Sequence, residues 1–223
     1  MEQIIIPPES IVMISTANLE AMPRRVQLKS ICKAISVLDA ILCQEWADRY
    51  YSYNSKWAPD EEFCGMRNGQ GDELLILFQA EGCIINGMVH EYYPKDKTRL
   101  TMGLPKIYDE FIFGEPVISI GTTFCLWSSS DKKWEIVDIS DFNDGSEEML
   151  AIFDGNPLSY INWAKDYYEE NFIVNDETER IVTSIYEGQP LTKEMVHLLA
   201  NNLEDWDQLL NDLEEINYPF QFT

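Results

Sequence analysis

The sequence has few of the residues that most often bind metals or act as nucleophiles. It contains two histidines, His90 and His197, whose spacing excludes a His-x-x-x-His zinc site. Its five cysteines are scattered and form no Cys-x-x-Cys pair, which indicates buried, reduced thiols instead of a disulfide framework or a zinc knuckle. It also has no G-x-x-x-x-G-K-S/T phosphate loop and no G-x-S-x-G nucleophile elbow. These absences predict no metal, no cofactor and no catalytic residue.

Long apolar runs are missing as well. No stretch approaches the roughly 18 consecutive apolar residues that a helix needs to cross a bilayer. The first ten residues, MEQIIIPPES, have no basic segment ahead of a long apolar core, so they do not have the form of a secretion signal. We therefore expect a soluble, cytoplasmic protein that does not associate with membranes.

Basic residues are scarce. The chain has 16 Lys and Arg and 39 Asp and Glu, which gives a formal net charge of −23. The imbalance is concentrated in residues 111–223, where 23 acids and 5 bases give a net charge of −18. Such a surface repels phosphate backbones and argues against nucleic-acid binding. It attracts basic proteins and speeds their encounter. The alternative is that the charge serves solubility alone.

The N-terminal part of the chain predicts one long helix. Apolar residues keep to helical spacing over residues 23–51, and Pro23 suits the first helical position. Residues 58–64 then form an acidic loop in this interpretation. The end of the helix is rich in aromatic residues, which could line a ligand site or form the border of the core. These residues are Trp46, Tyr50, Tyr51, Tyr53 and Trp57.

A β-hairpin is predicted at residues 74–89. Residues 74–78 form a short apolar run that is typical of a strand buried on both faces. Residues 80–82 are predicted to form a three-residue turn with Gly82 in the left-handed conformation. If Gln79 pairs with Cys83, then Phe78 lies opposite Ile84. In this register Asp72 lies opposite His90, at the open end of the hairpin.

The remaining pattern runs from strands to helices. Residues 117–120 look strand-like, and residues 122–127 and 134–139 predict a second hairpin in which Trp127 could pair with Trp134. Helix-start and helix-stop signals follow from residue 144 onward. We therefore predict one compact α+β domain over residues 1–223, strand-rich at about 66–139 and helical at about 144–215. Its mainly antiparallel sheet would be packed by a long N-terminal helix and several C-terminal helices.

Polar residues gather around the open end of the predicted hairpin. A carboxylate beside a histidine can orient a general base or a metal ligand, and it can equally close a hairpin by a structural hydrogen bond. Asp72, Glu73, His90 and Glu91 could together form a weak site for calcium or magnesium, although their spacing is not that of an EF-hand. The predicted ligand-binding residues are Arg49, Trp57, Arg67, Asp72, Glu73, His90 and Glu91.

Several runs of the sequence resemble a family of bacterial hypothetical proteins. They are RYYSYNSKW at residues 49–57, MRNGQGDE at residues 66–73, PLSYINWAKDYYEE at residues 157–170 and the tail INYPF. The resemblance spans most of the chain but implies no activity and no functional residue. Small acidic bacterial proteins of this build are similar to immunity proteins of contact-dependent toxin systems.

Three hypotheses about function follow. The first is a soluble bacterial interaction protein, of the immunity type, whose acidic half binds a basic partner. The second is a small-molecule or metal-dependent enzyme with a site around Asp72 and His90. The third is a structural, oligomeric protein without a pocket; the sequence leaves the oligomeric state open.

Overall fold

A computed structural model describes residues 13–92, 94–129, 133–137, 144–200 and 203–222, and these form an α+β fold. The long N-terminal helix, α1, spans Arg25–Leu42 and buries an almost continuous apolar face. The prediction extended this helix to residue 51, which is wrong. Cys43 is extended, and Tyr51 already begins a strand. Aromatic residues at alternating positions favour a strand here, because they pack well on a pleated, half-buried surface.

Five antiparallel strands form a sheet in which each strand pairs with its neighbours in the sequence. They are β1 (Tyr51–Ala58), β2 (Glu61–Arg67), β3 (Glu73–Gln79), β4 (Gly82–Met88) and β5 (Phe124–Ser129). The first two strands were not predicted, and the segment assigned to an acidic loop is the turn and β2. The central strand β3 is buried on both faces, as predicted, because helices cover the sheet on each side.

The register of the β3–β4 hairpin differs by one residue from the prediction. Gln79 pairs with Gly82, so the turn contains only Ala80 and Glu81. Phe78 therefore lies opposite Cys83, and Leu77 opposite Ile84. Because side chains alternate between faces, the slip moves Ile84 to the face opposite the one predicted.

Gly82 and Gly87 of the β3–β4 hairpin lie where neighbouring atoms leave no room for a side chain. Gly82 is not among the residues with positive φ. A Cβ atom on Gly82 would lie 2.3 Å from the Ser128 backbone oxygen, and one on Gly87 would lie 2.1 Å from the Phe124 ring. Both glycines therefore allow β5 to approach β4 closely.

Short helices cover one face of β3, β4 and β5. They are α2 (Lys97–Leu100), α3 (Asp109–Phe113) and α4 (Val117–Ile120). Phe111 and Ile112 pack with Leu75, Leu77 and Trp127 in a small apolar cluster. The prediction of a strand at residues 117–120 is wrong. These residues form one helical turn after Pro116, in which the Gly121 N–H donates to the Val117 oxygen at 2.9 Å.

The opposite face of the sheet carries α1 and the C-terminal helices in the main core. The C-terminal helices are α5 (Ser146–Leu150), α6 (Pro157–Tyr168), α7 (Asp176–Tyr186), α8 (Lys193–Leu199) and α9 (Trp206–Ile216). Two short strands, β6 (Leu191–Thr192) and β7 (Phe220–Gln221), pair in parallel. The side chains of Asn156, Asn175 and Thr192 each accept a hydrogen bond from the first turn of α6, α7 and α8.

Part of the predicted second hairpin lies outside the described residues. Within them, Trp127 bridges to Glu135 and not to Trp134, through N–H···O bonds of 3.0 and 2.7 Å. Trp134 instead donates its Nε1 hydrogen to the Pro23 oxygen at 2.8 Å. In the part of the chain that the structure describes, no helix has both the length and the apolar character to span a bilayer.

Candidate functional site

Asp72 and His90 meet just beyond the last β3–β4 pair, Glu73 with Met88. Asp72 Oδ1 accepts a hydrogen bond from the His90 backbone N–H at 2.7 Å and lies 2.7 Å from His90 Nδ1. Asp72 Oδ2 accepts from Asn68 Nδ2 at 2.6 Å. The hydrogen bond to Asp72 raises the pKa of the exposed His90 above its usual value. These bonds hold the Asp72 carboxylate in one orientation.

Arg67 and Glu73 lie opposite each other on β2 and β3, beside this pair. The Arg67 guanidinium lies 4.0 Å from the centre of the Trp46 ring and donates to the Trp46 backbone oxygen. Burial raises the pKa of Glu73, and the nearby Arg67 charge opposes that rise. Glu91 is exposed. Arg67 is thus engaged by Trp46.

Arg49 forms an ion pair away from the hairpin end. Its Nη2 atom lies 2.8 Å from Asp212 Oδ2, with the two side chains 3% and 6% exposed. The guanidinium also donates to the backbone oxygens of Cys43 and Gln44. The pair therefore joins the segment between α1 and β1 to α9.

Trp57 lies at the far end of β1 from Asp72. Its ring stacks on Phe63, with centroids 4.4 Å apart and planes inclined by 21°. Six residues of strand separate Trp57 from Tyr51, a span of about 20 Å. The side chains of the predicted ligand residues therefore do not share one pocket: Asp72 and His90 are in contact, and Arg67 and Glu73 are adjacent. Arg49 accepts from Arg67 Nε through its backbone oxygen at 3.4 Å, but its side chain pairs with Asp212, and Trp57 lies at the far end of β1.

A cavity of about 500 Å³ opens beside Asp72. This volume lies within the range of small-molecule sites. Its walls come from β1, β2, the hairpin end, α5 with the turn that follows it, and α6. The lining residues are Met13, Ile14, Tyr50, Tyr51, Met66, Asp72, Val89, Gly145, Glu148, Met149, Ala151, Ile152, Asp154, Ser159 and Trp163.

The aromatic wall of this cavity is held by ring contacts. Trp163 meets Tyr50 edge-on at 4.8 Å between centroids, and it meets Tyr51 at 5.1 Å. Tyr167 stacks on Trp163 at 5.1 Å. Burial, followed by the charge of Asp72, raises the pKa of Tyr50 to about 12. The Tyr50 hydroxyl is therefore neutral at physiological pH.

Asp39 is a fully buried carboxylate of α1 that is bonded to the residues of this wall. Its Oδ2 atom accepts from the Tyr51 N–H at 2.7 Å, and its Oδ1 atom accepts from the Tyr160 hydroxyl at 2.8 Å. Burial raises the pKa of Asp39 to about 7, although both hydrogen bonds oppose the shift. Asp39 thus ties α1, β1 and α6 together.

The helical half presents most of its acids to solvent. Between residues 144 and 222 there are 18 acids and three bases. Sixteen of these acids are exposed, and the other two, Asp144 and Asp212, are buried. A shallow groove of about 600 Å³ lies on this surface, lined by Lys165, Asp166, Glu169, Phe172 and Val174.

Neither the cavity nor the groove was predicted. The cavity walls are built from segments distant in sequence, and the small apolar and aromatic residues that form them also fit a core. Two signals were present: the pairing of Asp72 with His90, and the aromatic cluster for which a ligand site was one of two interpretations, of which Tyr50 and Tyr51 line the cavity. In the described ranges, no three His, Cys, Asp or Glu side chains are close enough to hold a metal ion together.

Comparison with protein-family models, with curated proteins and with solved structures finds no significant match for this chain. Function is therefore inferred from the residues of the chain itself.

Proposed function

We propose that this protein binds a basic protein through the acidic surface at the end of α6. The observation that carries the proposal is the excess of exposed acids over bases in the helical half, sixteen against Lys165, Arg180 and Lys193. Few of these charges can be neutralised within the helical half. A positively charged partner would therefore be attracted at long range.

The groove near the end of α6 supports the same proposal. Asp166 and Glu169 border it, and Phe172 and Val174 form its apolar floor. Tyr167 and Ile173, which are next in sequence to residues that line the groove, are 43% and 68% exposed. Protein interfaces combine apolar or aromatic anchors with a polar rim, and this surface offers both. An immunity-type role, with a basic toxin as partner, is the specific form suggested by the resemblance of the sequence.

Capture from a lysate of the source cells tests the proposal. The tagged protein is expected to retain a basic protein that is released as salt is raised. The triple variant Asp166→Asn, Glu169→Gln, Glu170→Gln should bind this protein roughly tenfold more weakly, because each rim charge contributes about 0.2–1 kcal/mol. Retention of no basic protein would contradict the proposal.

A matched variant separates local charge from net charge. Asp60→Asn, Glu20→Gln and Glu110→Gln remove the same three charges from exposed positions outside the helical half. Affinity close to that of the unmodified protein is expected. Equal weakening by both triple variants would show that the end of α6 is not the binding surface.

A second candidate function is small-molecule chemistry at Asp72 and His90. It is favoured by the contact between these residues at the edge of the cavity.

A further inference from the structure

The cavity beside Asp72 has three carboxylates in its wall, those of Asp72, Glu148 and Asp154. Among the described residues that line it, none is Lys or Arg. Two of the carboxylates are held in place by hydrogen bonds. Asp72 accepts from Asn68 and His90, and Asp154 accepts from the Ser159 hydroxyl at 2.6 Å. The cavity therefore presents fixed negative charge to a ligand before the ligand arrives.

The rest of the wall is apolar, aromatic and polarizable. Trp163 and Tyr50 contribute aromatic surfaces, and the rings are braced against each other and against Tyr167. Met66 and Met149 contribute thioethers. Aromatic faces attract cations, because the face of the ring carries the negative part of its quadrupole. Methionine side chains adapt to apolar groups of varied shape.

We propose that this cavity binds a small organic cation, a protonated amine attached to an apolar body. The carboxylates would face the ammonium group, while Trp163, Met66 and Met149 would surround the apolar part. An anion would meet three negative charges and no opposing base in the lining. A hard metal ion fits less well, because the described residues bring no three metal-ligating side chains together and most of the wall is apolar or aromatic.

Phenethylamine is a suitable probe, with phenylacetate as its anionic counterpart and 2-phenylethanol as its neutral one. Titration is followed by the fluorescence of the protein, because Trp163 lies in the cavity wall. We expect saturable binding of phenethylamine and at least about tenfold weaker binding of the two other probes. The absence of saturable amine binding, or equal binding of 2-phenylethanol, would overturn the proposal.

Two adjacent glutamates provide a matched pair of variants. Glu148 lines the cavity, whereas Glu147 is exposed and does not. Both are on the surface of α5, so Glu→Gln at either position should leave the fold intact. We expect Glu148→Gln to weaken phenethylamine binding about three- to fivefold and Glu147→Gln to leave it nearly unchanged. Equal weakening by both variants would show that the amine responds to overall charge and not to the cavity.

This proposal is independent of the basic partner. The cavity variant keeps the acids at the end of α6, and the α6 variant keeps the cavity acids. Loss of one binding activity in the variant designed for it, with the other retained, separates the two sites.

Discussion

Arg49→Met is expected to lower the free energy of unfolding by about 3–5 kcal/mol. The substitution removes the charged partner of Asp212, whose side chain is 6% exposed and which, among the described residues, would keep its hydrogen bond from Gln208. A buried carboxylate without a partner destabilises the folded state, because the protein interior solvates its charge much less well than water does. Urea denaturation at neutral pH measures the change. A loss below about 1 kcal/mol would contradict this prediction, because it is the size expected for a solvent-exposed ion pair.

The double variant Arg49→Met, Asp212→Leu is the control. It replaces both charges by apolar side chains of similar size, so no charge remains buried without a partner. Because removal of a whole buried pair is often neutral, we expect this variant to recover most of the stability lost in the single variant. If the double variant is no more stable than Arg49→Met, the loss arises from packing or from the bonds to Cys43 and Gln44 instead.

Asp39→Asn is expected to change the pH dependence of stability. The pKa of Asp39 is raised from 3.8 to about 7 in the folded protein. The folded state therefore binds this proton more tightly than the unfolded state does. The resulting stability is fully present below about pH 4 and is lost as the pH rises through about 7. A rise of the Asp39 pKa from 3.8 to about 7 corresponds to roughly 4 kcal/mol.

Asparagine removes this titration while preserving the size of the side chain. Its oxygen can accept from the Tyr51 N–H, and its amide can donate to the Tyr160 hydroxyl. Relative to Asp39→Asn, the unmodified protein should lose roughly 4 kcal/mol between pH 4 and pH 8. Denaturation series at several pH values give this difference, with the exposed Glu177→Gln as a control for general charge repulsion. A difference that does not vary with pH would contradict the raised pKa.

The sequence predicted those parts of the fold that depend on local pattern. The apolar run of β3 indicated burial on both faces. The helix-start signals after residue 144 include Pro157 and Thr192, and α6 and α8 begin there. The prediction for Gly82 was wrong, because a glycine is required here by a contact with another strand and not by the local turn. The residue makes room for β5 and does not form a left-handed turn. No local pattern distinguishes these two uses of glycine.

The same limit applies to the site. Asp72 and His90 meet even though the register differs from the one predicted, because both residues lie beyond the last strand pair, where alternation between faces no longer governs contact. Arg49 was grouped with them by its charge and position. Its true partner, Asp212, is 163 residues away in sequence. The aromatic residues of β1 were predicted to be the end of the helix because no proline or glycine in residues 43–50 marks where α1 stops.

The acidic residues considered above occur in two kinds of surroundings, either buried in the fold or facing solvent and the cavity. Asp39 and Asp212 are buried and bonded to neighbouring elements, so they stabilise the contact of helices with the sheet. The acids at the end of α6 and in the cavity face solvent or open space. We infer that the first group serves the fold and that the second group serves binding to positive charge.

Methionine-methyl NMR tests this inference most directly. The protein has eight methionines, of which Met13, Met66 and Met149 line the cavity and Met102 does not. On titration with phenethylamine, we predict saturable shifts of the Met66 and Met149 methyl signals and no shift of Met102. Unchanged Met66 and Met149 signals, or equal shifts at Met102, would contradict cation binding in the cavity.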